Sequence, residues 1–237
     1  MPGKPSDKGV FGLSVNKMRS PWIPALTALL LGGAGWGLEY RLFHFDLDDR
    51  GLIRPGAASA VLLYAVSGIA VLLIFLMCIR EVRQQPGGYR WTALLRAAAA
   101  AMLGFSAWSG TGDPLSMASA ALGGAAALCC IGSAVTEKLR FSANVLSGLF
   151  FASNAILRYR LSSSDPQLQD YVFPLLAEVA LMLFCHHAAA VDAGMDKPQK
   201  RAFWRYSALY FCVVAAYNGG AAFLLLPVWL LLPDTQS

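Results

Sequence analysis

The chain has 237 residues, of which 57% are hydrophobic and only 14% charged, and its formal net charge is +5. Soluble domains carry about 25% charged residues, so this composition, with a mean hydropathy of +0.52, excludes an ordinary soluble domain and reads as an all-α polytopic membrane protein. The basic excess is not a nucleic-acid footprint: basic residues cluster beside apolar runs, and there is no zinc-finger spacing, no aromatic–basic RNA motif and no polar domain to hold one.

Residues 1–20 are polar and basic, with Lys4, Lys8, Lys17 and Arg19 against Asp7. Pro2, Pro5 and several glycines predict a disordered cytoplasmic tail. Residues 21–233 read as one transmembrane helical domain. Trp22–Leu38 is the first apolar run. A cleaved signal peptide competes with a first span here, because Gly32-Gly33-Ala34-Gly35 offers small residues to a protease, although no A-x-A site is present. Further apolar runs cover 57–79, 92–109, 115–135, 141–157, 172–191 and 206–232. A spanning helix needs about 20 apolar residues. The final run is too long for one straight span and too short for two, since each half would hold only about a dozen residues. It reads as one span, bent or unwound at Asn218-Gly219-Gly220. A re-entrant segment, which would return the C-terminus to the cytoplasm, stays open.

Seven spans with a cytoplasmic N-terminus place 14 of the 19 Lys and Arg residues on the inner side and five, Arg41, Arg50, Arg54, Arg158 and Arg160, on the outer side. That is a positive-inside bias and predicts a multi-pass protein of a bacterial-type cell membrane. Trp22, Trp91 and Trp204 fall at predicted inner boundaries, and Trp36, Trp108 and Trp229 at outer ones, as an aromatic belt requires. All five cysteines (Cys78, Cys129, Cys130, Cys185 and Cys212) lie in apolar runs, so the external loops hold no disulfide framework. No internal repeat is evident.

Small residues at four-residue spacing let helices approach closely in lipid. Gly33-x-x-x-Gly37, Ala120-x-x-x-Gly124 and Gly123-x-x-x-Ala127 have this spacing, and internal packing of the bundle is the expected use; a homo-oligomer or membrane partner is the other.

Glu178 is the most informative polar residue, lying about two turns into the sixth run on the outer side. An intramembrane carboxylate is costly and needs a partner. Arg158, across a short hairpin, is the expected one, with Asn154 a turn below on the same face. Asn218 adds an unwound turn whose backbone groups can hold a ligand. These four residues, Glu178, Arg158, Asn154 and Asn218, form the candidate ligand-binding set; the competing reading is a structural ion pair and a packing kink.

No cofactor or metal site is expected. His186 and His187 are about 100° apart on a helix and match no ligand spacing. Asp46-x-Asp48-Asp49-x-Gly51 begins like a calcium loop, but Arg50 and Ala57 stand at ligand positions. Glu39, Arg41, His44, Arg50 and Arg54 are expected to form a solvated external loop. No nucleophile–base pair, Walker motif or dinucleotide fingerprint appears, so no enzyme is expected.

Asp165-Pro166-x-Leu168-x-x-Tyr171, an apolar helix and then Lys197-Pro198-x-x-Arg201 resembles a pattern in small uncharacterised bacterial multi-pass proteins, over about the last third of the chain. The resemblance implies no activity. The chain is also similar in size to vitamin-binding components of energy-coupling-factor transporters, but those have six spans with both termini inside. The expected function is binding or transport of a small solute through an outward-facing polar pocket. The alternative is a non-catalytic accessory or sensory membrane protein acting through helix contacts. The expected partners are the lipid bilayer and a small solute, with no nucleic acid.

Overall fold

The computed structural model describes residues 22–48, 52–54, 56–79, 89–108, 113–163, 169–220 and 222–232. The basic tail expected at 1–20, and Asp165, Pro166 and Leu168 of the resembling pattern, lie outside the described residues. The described residues form eight α-helices: α1 (Trp22–Phe45), α2 (Ala58–Ile79), α3 (Tyr89–Trp108), α4 (Pro114–Val135), α5 (Arg140–Ser162), α6 (Gln169–Asp192), α7 (Pro198–Ala215) and α8 (Ala222–Leu231). A 3-10 turn at Glu137–Leu139 joins α4 to α5. At about 1.5 Å per residue, α1 to α7 are roughly 27–36 Å long, close to the hydrocarbon thickness of a bilayer. Three stretches, Ala58–Ile79, Pro114–Val135 and Tyr171–Asp192, are long and apolar enough to cross a membrane.

Helices α1, α2 and α7 pack together as a group, and α3 to α7 are successive neighbours along an arc. The short α8 packs against both α3 and α7, the two ends of that arc, and so closes it. Below, the near end of the bundle is the one at which α1, α3, α5 and α7 begin, and the far end is the other.

The exterior is unusually apolar. In α2 a single stripe of Ser59, Leu63, Ala70, Ile74 and Cys78 is buried. The rest of that helix exposes Val61, Leu62, Ile69, Leu72, Phe75, Leu76 and Ile79. A water-soluble bundle puts its polar residues on that surface; an apolar outer face of this extent belongs against lipid.

The glycines divide differently from their spacing. A Cβ at Gly32 would lie 2.9 Å from Val213 Cβ, and one at Gly35 2.7 Å from Val214 Cγ2, so these two set the approach of α1 to α7. Gly33 and Gly37, expected to be the packing pair, would meet nothing within 4 Å. Gly123 does pack: its Cβ would lie 3.0 Å from the Cα of Gly104 and 2.9 Å from Phe150. Gly124 faces open space. The spacing found the small residues, but which face meets a helix depends on where the neighbours stand.

Two expectations fail at the far end. Residues 39–45 are not loop: α1 runs on to Phe45, because Gly35, Glu39 and Leu42 continue its buried face. The run at 206–232 is not one bent span. The helix starts at Pro198, whose ring suits a first helical turn. It is complete by Ala215, and the chain then reverses. Gly220, at φ +83, supplies the left-handed residue of the reversal. Helix α8 runs back along α7, so that Arg205, two turns into α7, donates from Nε to the carbonyl of Leu230 at 2.7 Å and from Nη2 to that of Leu232. Those are terminal carbonyls of α8 that no helical N–H can reach. The same reversal takes Trp229 away from the far-end belt. It is buried, 5.6 Å from the Phe184 ring, with the Arg96 guanidinium 5.7 Å from its own.

Candidate binding site at the far end of the bundle

Asn154 and Arg158 are one turn apart on α5, and both reach Glu178, in the third turn of α6. Asn154 Nδ2 donates to Glu178 Oε1 at 2.7 Å and Arg158 Nε donates to the same oxygen at 2.9 Å. Glu178 is fully buried, and its Oε2 has no hydrogen-bond partner among the described residues. The Arg158 side chain is 25% exposed, so the ion pair has one foot inside the bundle and one at its surface. Desolvation offsets much of the attraction in such a pair, so its burial is weak evidence that it serves stability.

Asn218 does not join this group. Its Nδ2 donates to Glu39 Oε1 at 3.2 Å. Glu39, placed in a solvated loop on sequence grounds, is instead fully buried. The signal was present: Gly35, Glu39 and Leu42 share a helical face, but hydropathy alone ends the span at the first acid. An aromatic layer covers this second acid. Tyr40 stacks on His44 at 4.1 Å, and Tyr217 meets the rings of Trp36, Tyr40 and Phe43 at 6.4, 6.0 and 5.7 Å. The Tyr217 hydroxyl is 3.3 Å from His44 Nδ1.

Phe223, the second residue of α8, stands between the two groups. The Arg158 guanidinium lies 5.6 Å from its ring, a cation–π distance. On its other side the ring packs so closely on Gly219 that a side chain there would collide with it. The far end thus holds two buried carboxyls, Glu178 on α6 and Glu39 on α1, with the reversal at Tyr217–Gly220 and Phe223 between them. The cavities beside Arg96 and Trp229, beside Phe75 and Trp204, and between Gly148 and Met182 are lined by other residues than the four predicted ones.

The other polar motifs have local roles. Ser59 Oγ donates to Asp46 Oδ2, and Asp48 Oδ1 accepts from the Leu52 amide at 2.8 Å. With the bridge between Leu47 and Ile53, these carboxylates shape the α1–α2 connection; Asp49 to Gly51 lie outside the described residues. His186 is exposed on the outer face, whereas His187 Nδ1 is 2.5 Å from Asp196 Oδ2 in the α6–α7 loop. Asp196 also accepts from the Lys197 amide at 2.7 Å and pairs with Lys200 at 3.1 Å. The Lys197 amide first, and then His187, hold its carboxyl down from the usual 3.8 to about 2. No group of three or more His, Cys, Asp or Glu side chains among the described residues could hold a metal ion.

Comparison with known protein families, with curated proteins and with solved structures found no match to this chain.

Proposed function

We propose that the chain is a multi-pass integral membrane protein that binds or transports a small solute at the far end of its bundle. In this reading α1 to α7 cross the bilayer, α8 re-enters from the far side, and the N-terminus is cytoplasmic. The charge bias of the connections supports that orientation. The observation that carries the binding role is Glu178, buried to 0% exposure, with Oε1 accepting two hydrogen bonds and Oε2 without a partner among the described residues. A buried carboxyl oxygen left over calls for a proton, a water or a ligand donor. Arg158 is the element through which a solute at the surface reaches that carboxyl. A bound anion competes with Glu178 for the guanidinium; a bound cation or proton takes its place on Glu178. Asn218 and Glu39, across Phe223, form the opposite wall, and movement of the α7–α8 reversal opens the space between them.

Native mass spectrometry of the whole chain in mild detergent tests the reading. A small molecule retained at fixed stoichiometry and lost in Glu178→Gln, with the helical content unchanged, supports it. Retention in Glu178→Gln removes the site.

One observation favours a second reading, an accessory protein acting through helix contacts. Gly33, Gly37 and Gly124 open outward with nothing within 4 Å of an added Cβ, so these small-residue faces are free to meet another helix. Gly33→Leu or Gly124→Leu then breaks a complex while Glu178→Gln leaves it intact. A complex that survives both leucine variants sinks this reading.

A further inference from the structure

The polar residues of α5 form a file that runs the length of the bundle. Arg140, Asn144, Ser147, Asn154 and Arg158 follow one another at helical spacing, with Phe151 completing the period between Ser147 and Asn154. Alternating steps of four and three residues place all six on one face of the helix. At about 1.5 Å per residue the file is about 27 Å long, close to the hydrocarbon thickness of a bilayer. The face points into the bundle: Asn144, Ser147, Phe151 and Asn154 are 8%, 1%, 1% and 6% exposed.

The antiparallel α6 meets this file with a carboxyl towards each end. Asn154 holds Glu178 at the far end, and at the near end Asn144 Nδ2 donates to Asp192 Oδ2 at 2.6 Å. From either end inward, α5 therefore presents an arginine and then an asparagine bonded to an α6 carboxyl. From Asn144 the polar contacts continue inward. Arg96 of α3 donates from Nη1 to Asn144 Oδ1 and from Nε to Cys130 Sγ at 3.0 Å, and Cys130 Sγ lies 3.6 Å from Ser147 Oγ. Between Ser147 and Asn154, about 10 Å along the axis, α5 turns two large rings inward instead. These are Phe150 and Phe151, both buried, with centroids 5.4 Å apart.

A single buried polar contact between helices is ordinary glue in lipid. A polar file that runs from end to end, meets a carboxyl towards each end and is interrupted by one aromatic layer has the layout of a gated path. Polar groups at such depth are costly and mark the routes of ions and protons. We propose that the α5–α6 face is a proton path whose gate is Phe151. The proposal deepens the Glu178 reading above and rests on it for the far-end site. Size sets the permeant: the cavity at the near end, lined in part by Arg96, Asn144 and Asp192, measures about 20 Å³ and admits about one water. A proton from the far side adds to Glu178 Oε2, which has no partner among the described residues. Arg158 and Asn154 of α5 and Cys212 of α7 are the polar groups around that carboxyl. Water admitted past Phe151 takes the proton on towards Ser147. Asp192, beside Asn144, Arg140 and Arg201, accepts it at the near end and releases it to water. Only O–H bonds form and break, and each carboxyl returns to its starting state.

The test uses the full chain in liposomes that enclose the pH dye pyranine, with a potassium diffusion potential set by valinomycin. Phe151→Ala, which removes the ring and leaves room for water, is expected to raise the proton flux several-fold over wild type while pyranine stays inside. Adding Glu178→Gln to Phe151→Ala is expected to return the flux to the wild-type level. If Phe151→Ala loses its helical circular dichroism, Phe151→Val, which removes less packing, takes its place. A purely structural file gives the opposite pattern: Glu178→Gln loosens the bundle further, and the double variant leaks as much as Phe151→Ala or more. The path is overturned by that pattern, by a folded gate variant as tight as the wild type, or by escape of pyranine. A chain that retains a small molecule lost in Glu178→Gln, yet shows no gate-dependent proton flux, keeps the binding site and loses the path.

Discussion

Gly33 and Gly35 are two residues apart on α1, and the fold gives them opposite tolerance for a methyl group. At Gly35 a new Cβ would stand 2.7 Å from Val214 Cγ2 and 3.3 Å from the Tyr210 hydroxyl. Carbon pairs prefer about 3.5–4.0 Å, so α1 has to retreat from α7 by most of an ångström or a side chain has to leave its rotamer. Val214 and Tyr210 are both completely buried and have little room to yield. Tyr210 is also held by Ser67 at 2.8 Å, which ties the movement to α2. Overpacking of this kind costs about 1–3 kcal/mol. At Gly33 nothing stands within 4 Å, and alanine is the better helix former by up to about 1 kcal/mol. Gly35→Ala is therefore expected to unfold about 2–3 kcal/mol more easily than Gly33→Ala. Equilibrium unfolding of both variants in mixed detergent micelles, followed by circular dichroism, measures the difference. Equal stabilities, or a Gly33→Ala protein weaker than Gly35→Ala, would refute the packing of α1 on α7.

Arg205→Leu removes both side-chain donors to the last carbonyls of α8. Charge-assisted bonds are worth about 1.5–3 kcal/mol each, so hydrogen exchange in α8 should accelerate strongly while α4 and α5 keep their protection; an unchanged α8 would mean that Arg205 does not hold it. Asp196, held near pH 2 by the Lys197 amide and His187, contributes stability that is present above its ordinary value near 4 and is lost as the pH falls from there through 2. The difference in melting temperature between wild type and Asp196→Asn should shrink as the pH falls from about 4 towards 2; a difference that grows over that range would contradict the assignment. Gly123→Leu should separate α3 from α4, because its Cβ already meets Gly104 and Phe150 at 3.0 and 2.9 Å. Its neighbour Gly124→Leu should leave the isolated chain as stable as wild type, and a stable Gly123→Leu protein would refute that contact.

Hydropathy by itself determined the class of this protein and the positions of most of its helices. Lipid-facing surface must be apolar along about 20 consecutive residues, and that is a one-dimensional property. The runs at 57–79, 115–135 and 172–191 became α2, α4 and α6 within a few residues. The pairing of Arg158 and Asn154 with Glu178 was legible for a similar reason, because a short hairpin brings α5 and α6 together and one helical turn sets the spacing. Everything that depends on which helix a face meets needed the tertiary structure. Glu39 reads as solvated until Asn218 arrives from a segment far along the chain to bond it. Gly32 and Gly35, rather than Gly33 and Gly37, touch α7 only because α7 stands on that side of α1. The last apolar run could not declare its direction: Gly220 permits a reversal, but Arg205, near the start of α7 at the near end of the bundle, is what receives the end of the returning helix. Arg96, Arg140 and Arg201 are far apart along the chain, and only the closing of α3 to α7 around α8 brings them to line one small cavity.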